Sequence, residues 1–197
     1  MFAPWYIAFI NLLFGCILLS LSILVYQKKQ ILGQSFFWLL LLCDSLFSCT
    51  VGVYYLIGEI TREDSNLLSL IVFGLVYSLI YLSAVLWFFY SACYSGRGEY
   101  LTRTRTAIIG GAMVLGCIFR FLDMLPLPAD TPWQRILSEL IWVGHYAAAY
   151  YFFALIIIGI YFVLERYHTV SARFRRQIEF LVIGIGILLC TRLALET

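Results

Sequence analysis

The chain has 197 residues, 63% of them hydrophobic and 12% charged, with a net charge of +2 and a mean hydropathy of +0.94. Soluble domains carry about 25% charged residues, so this chain cannot cover a water-facing globule with polar surface, and that class is excluded. Several apolar runs approach the ~20 residues that a bilayer crossing needs.

In chain order, six segments read as membrane helices: about 4–26, 36–58, 67–94, 107–125, 133–165 and 178–195. They should be α-helical, because lipid cannot satisfy an open backbone and no alternating ten-residue pattern suggests a barrel. The first run has no basic leader and is long enough to span, so it reads as a true helix rather than a cleaved signal. The connections are short, among them "QKKQILGQS", "TREDSN", "SGRGEYLTRTRT" and "PLPADTP". Short loops make consecutive helices antiparallel neighbours. The expected fold is all-α: one polytopic transmembrane bundle over residues 1–197, six helices, or part of a larger module of seven or more.

Charge sets the orientation. Nine of the thirteen basic residues fall in alternate loops: Lys28 and Lys29, then Arg97, Arg103 and Arg105, then Arg166, Arg173, Arg175 and Arg176. By the positive-inside rule that side is cytoplasmic and the N-terminus is outside. A multi-pass protein of the bacterial inner membrane is the expectation. Six helices that start outside also end outside, so a cytoplasmic output domain would need a seventh crossing.

The stretch "GCIFRFLDMLPLP", residues 116–128, places Arg120 and Asp123 inside a spanning segment. An Arg at the bilayer centre costs about 2.5–3.5 kcal/mol on insertion scales. At 1.5 Å per residue, Arg120 lies about 20 Å from the inner boundary, in the outer half. Counted from Trp133, Glu139 is about 9 Å in from the outer side, and Arg192 arrives about 21 Å along the last segment. Arg120, Asp123, Glu139 and Arg192 therefore fall in one outer layer. This layer reads either as an ion-pair network bracing three helices or as a ligand pocket, and Arg192 has the further option of reaching the interface. Within it, Arg120 is expected to pair with Glu139 or Asp123, leaving the other carboxylate to Arg192.

Asp44 and His145 are the mid-membrane polar residues, and a hydrogen bond between them is one expectation. The other is that Asp44 bonds to neighbouring hydroxyls or backbone. Trp5, Trp133, Tyr54 and Tyr55 suit an outer aromatic belt, with Trp38 and Tyr94 at the inner one. Deeper aromatics, including Trp87, Trp142, Tyr146 and Tyr150, read as helix packing or as the lining of an apolar cavity. Gly110–Gly111 and Gly184–Gly186 are expected to mark close helix contacts.

Several chemistries find no residues to carry them. Six cysteines lie in or beside apolar runs without a CxxC or Cys/His cluster, so neither a metal site nor a disulfide framework is expected. The only lysines are in a loop, which excludes a retinal Schiff base. His145 and His168 lie on one helix axis, about 35 Å apart, and cannot share a haem. HExxH, GxSxG and Walker A patterns are absent. No catalytic residue, no cofactor and no nucleic-acid partner is expected.

The stretch "LERYHTVSARFRRQIEFLVIGIGILL", residues 164–189, resembles the membrane input region of the exosortase-associated (PEP-CTERM) sensor histidine kinases, through Glu165, Tyr167, Arg176, Leu181, Gly184 and Gly186. "LWFFYSACYSGRG", residues 86–98, is similar to the third-helix end of the broader seven-helix sensor kinases. His168 and Glu179 depart from the pattern, which tends to Arg and Lys there. The resemblance implies a sensor module normally followed by further helices and a cytoplasmic kinase, which a longer form of the chain would carry. It transfers no catalytic residue.

The leading expectation is the input module of a bacterial signalling protein, sensing a lipid-like or envelope signal in the outer half of the bundle. The alternative is a small structural or transport-related membrane subunit, with a lipid-directed enzyme a third class. Expected partners are membrane lipids and either a second copy of the chain or another membrane protein.

Overall fold

The computed structural model describes residues 4–27, 32–61, 66–125, 131–167 and Arg175. Five long helices make up nearly all of it: α1 Pro4–Gln27, α2 Leu32–Thr61, α3 Asn66–Tyr94, α4 Arg103–Asp123 and α5 Pro132–Tyr167. All five are long and apolar enough to cross a membrane, and no strand occurs among the described residues. Five rather than six is the number described; the sixth expected segment, 178–195, lies outside the described residues, as do Gly184 and Gly186.

Local chemistry explains the helix ends. α3 stops at a glycine with positive φ, Gly96 (φ 81°), in a Schellman arrangement. The Arg97 amide bonds the Ala92 carbonyl at 2.8 Å and the Gly96 amide bonds Cys93 at 3.2 Å, a geometry in which a side chain at position 96 would strain the backbone. After a 3-10 turn at Gly98–Tyr100, Thr102 caps α4 by accepting from the Arg105 amide at 3.4 Å. The fourth helix therefore begins at Arg103, one turn before the expected 107. At α5, Thr131 and Gln134 form a reciprocal capping box: the Thr131 amide donates to Gln134 Oε1 at 2.9 Å, and the Gln134 amide donates to Thr131 Oγ1 at 3.3 Å. Pro132, at the first helical position, has no amide hydrogen to leave unsatisfied.

Consecutive helices pack on one another, and α3 also packs on α5, so α3 touches α2, α4 and α5. The α1–α2 pair is held by small residues seven apart. On α1 these are Ala8, Gly15 and Ser22; on α2 they are Ser45 and Gly52, also seven apart. Ser45 donates to the Gly15 carbonyl at 2.8 Å and Ser22 to the Trp38 carbonyl at 3.3 Å. A Cβ on Gly15 would meet Cys49 Sγ at 2.5 Å, and one on Gly52 would meet Leu12 at 2.8 Å. In lipid, close backbone approach and interhelical hydrogen bonds drive association, because apolar side chains gain little from leaving a medium as apolar as themselves.

The core runs along α3. One cluster joins Leu40 and Cys43 of α2 with Leu86 and Trp87 of α3 and Val163 of α5. A second joins Tyr81, Ala84, Val85 and Phe89 to Phe152 and Leu155, with Tyr81 stacked on Phe152 at 4.3 Å. Gly159 seats α5 against Trp87, whose indole N–H donates to the Ile156 carbonyl at 3.2 Å. Among the described residues the expected contact at Gly110–Gly111 does not appear: none of them lies within 4 Å of a Cβ built on either. The close α4 and α5 approaches use Gly116, beneath Phe152 and Ala148, and Gly144, against the Phe119 ring. The small residues that matter are those opposite a bulky side chain, which the GG pair is not.

Candidate functional site

The end of the bundle where α4 finishes and α5 begins carries a polar cluster drawn from three helices. α4 supplies Arg120 and Asp123. They sit one turn apart and so share a face, with Arg120 Nη1 3.1 Å from Asp123 Oδ2. α5 supplies His145, whose Nε2 lies 3.1 Å from the same Nη1. A guanidinium can only donate, so Nε2 is the acceptor and the imidazole proton sits on Nδ1. α3 supplies Tyr77, whose ring lies under the guanidinium with its centre 3.8 Å from Arg120 Cζ. An aromatic face attracts a cation most where water is scarce.

Arg120 is thus held on its Nη1 side by a carboxylate and an imidazole and across its plane by an aromatic ring. Its side chain is 19% exposed and that of Asp123 26%. Nε is buried and has no hydrogen-bond partner among the described residues. Around the cluster, Phe119 packs on Gly144, and His145 meets the edge of Tyr146, which lies against Trp142 at 4.5 Å.

Of the expected outer layer, Arg120 and Asp123 come together. Glu139 does not join them: it is exposed, and no ion pair to it occurs among the described residues. α5 has 36 residues, about 54 Å, well beyond a hydrocarbon core of about 30 Å, so its end is a poor origin for counting depth. The level of Arg120 is fixed instead by Phe119 on Gly144 and Arg120 on His145. Glu139 is six residues before His145, about 9 Å further out. Arg192 lies outside the described residues. Asp44 accepts from Ser83 Oγ on α3 at 2.7 Å, an interhelical hydroxyl. Tyr77 was not foreseen, since nothing in "GLVYSLIYL" distinguishes it from the packing tyrosine Tyr81.

The opposite end holds a second constellation. Arg97, just past α3, bridges Glu165 on the last turns of α5, with Nη2 2.7 Å from Oε2. Its guanidinium also lies 4.6 Å from the Phe162 ring centre. Arg166 donates back to the Tyr94 carbonyl at the end of α3. α3 and α5 therefore take part in both constellations.

No curated protein and no solved structure matches the chain significantly. A family model does, over residues 10–195, and its description is the N-terminal 7TM region of histidine kinase. The match spans nearly the whole bundle, including the Arg120 cluster and the Arg97–Glu165 bridge, and on it the chain belongs to that family: it is a multi-pass membrane sensor module of a signalling protein.

Proposed function

We propose that this input module reads a lipid-like or envelope-derived signal in the outer half of its bundle, at the cluster of Tyr77, Arg120, Asp123 and His145. The observation that carries the reading is Arg120: a cation within a spanning helix, fixed by groups from three helices, with hydrogen-bonding capacity left over. A buried ionisable group of this kind is costly and is retained where it binds or moves something. The N-terminus is outside and the membrane is the bacterial inner membrane. Support for this comes from the basic residues Arg97, Arg103, Arg105 and Arg166, which share the end of the bundle opposite the cluster. The likeness of residues 164–189 to the exosortase-associated kinases supports an envelope source for the signal.

A signal bound between α3, α4 and α5 shifts these helices relative to one another, by as much as its differential affinity for the two arrangements allows. To test the reading, residues 1–197 are joined through one added transmembrane helix to a cytoplasmic kinase reporter, and the envelope lipid composition of the host is altered. Reporter output is expected to change in the wild-type fusion and to stay flat in Arg120→Gln at equal levels of folded protein. A response retained in full by Arg120→Gln would refute it.

A further inference from the structure

The geometry points to the chemical class of the signal: we infer that Arg120 takes an oxyanion, a carboxylate or a phosphate ester, on its Nε–Nη2 edge. This rests on the cluster being where the signal is read. A guanidinium has five N–H donors. Nη1 faces Asp123 and His145, while Nε is buried and has no acceptor among the described residues. No described residue bonds Nη2 either. The two internal partners thus share one corner of the group, and the edge suited to a two-oxygen fork remains unspent.

Three features make that edge a receptor rather than a solvated leftover. The guanidinium is prevented from turning, because Tyr77 covers its face and His145 fixes Nη1. A fork whose orientation is already set loses less freedom when it binds a planar pair of oxygens. Asp123 touches Nη1 through one oxygen only, at 3.1 Å, and so leaves the Nε–Nη2 fork to a bidentate partner, whose parallel charge-assisted bonds are the strong ones. A carboxylate on the Nε–Nη2 edge also sits across the guanidinium from Asp123, which limits their mutual repulsion. An acceptor at Nε further removes the cost of a buried donor left unmade.

The oxyanion can belong to a membrane amphiphile or to a small solute reaching the cluster from outside. The test separates the two. The whole chain is placed in nanodiscs of zwitterionic phospholipid and labelled with a photoactivatable fatty acid, and the labelled peptides are mapped. Labelling is expected on peptides of α3, α4 and α5 containing Tyr77, Arg120 and His145. Oleate should compete, and oleyl alcohol, with the same tail and no charge, should not. Acetate and inorganic phosphate are the solute arm: if they compete at oleate's affinity, the oxyanion alone is recognised and the tail contributes nothing. Arg120→Lys keeps the charge but loses the fork, and should bind oleate about tenfold more weakly, the loss of one charge-assisted hydrogen bond. Circular dichroism and thermal unfolding confirm that the variant is folded. Equal competition by oleyl alcohol at the same peptides would overturn the oxyanion and leave the site standing. Absence of labelling there, together with no rise in thermal stability on adding acetate or inorganic phosphate, would overturn both. Unchanged affinity in folded Arg120→Lys would remove the fork.

Discussion

Replacing Gly159 by alanine tests the joint between α3 and α5, the two helices shared by the polar clusters at the bundle ends. An added Cβ would lie 2.4 Å from Trp87 Nε1, 2.8 Å from its Cδ1 and 3.1 Å from Ser91 Oγ. Trp87 is 3% exposed and packed among Leu40, Cys43, Leu86 and Val163, so the indole has nowhere to go. Either the helices part, or Trp87 turns and gives up its bond to the Ile156 carbonyl. Overpacking costs about 1–3 kcal/mol, and a buried donor left unmade about 1–3 kcal/mol. Because either movement relieves the other strain, the expected loss is about 1–3 kcal/mol. Unfolding by sodium dodecyl sulfate in mixed micelles, followed by far-ultraviolet circular dichroism, measures it. Gly111→Ala is the control: no described residue stands within 4 Å of its Cβ, and alanine gains up to about 1 kcal/mol of helix propensity. If Gly159→Ala unfolds within about 0.5 kcal/mol of the wild type, the close approach of α3 and α5 does not hold.

A double-mutant cycle between Arg120→Gln and Asp123→Asn should give a coupling of about 0.5–1.5 kcal/mol, well short of the 3–5 kcal/mol of a fully buried pair, because both side chains retain some exposure; simple additivity would refute the pairing. Glu139→Gln should change stability by less than about 0.5 kcal/mol, and a loss as large as that of Arg120→Gln would restore Glu139 to the cluster. At the other end, Arg97→Ala should destabilise more than Glu165→Gln, since it removes the stacking on Phe162 as well as the ion pair, and equal losses in the same titration would argue that the stacking contributes nothing. A cysteine in place of Arg103 should react only with a membrane-permeant maleimide in intact cells; labelling by an impermeant reagent would reverse the orientation.

Composition and hydropathy were enough to read the five described helices and their order, because lipid imposes a length and a polarity on every crossing. The pairing of charges was less legible. Depth along a helix follows from counting only if the start of the count is a membrane boundary, and α5 overruns it, so His145 rather than Glu139 meets Arg120. Rotation about the helix axis is harder still. Asp44 and His145 are both polar and mid-depth, yet Asp44 faces Ser83 and His145 faces Arg120. The same limit applies to glycine: Gly110–Gly111 looks like a contact motif, whereas the isolated Gly159 is the position that admits Trp87. The seven-residue spacings of Ala8, Gly15 and Ser22 and of Ser45 and Gly52 were present in the sequence and are packing signals that periodicity would have exposed.

Gly159, where α5 seats against Trp87 of α3, divides α5 into unequal arms. From His145 to Gly159 is fourteen residues, about 21 Å, and from Gly159 to Tyr167 eight residues, about 12 Å. A stiff rod held at such a fulcrum swings its two ends in opposite directions, by distances proportional to the arms. A sideways push of 1 Å at His145, taken as an illustration, arrives at Tyr167 as roughly 0.6 Å the other way. The gearing is downward: it trades travel for force, so a push at the Arg120 cluster would reach the Arg97–Glu165 bridge as a short, stiff displacement.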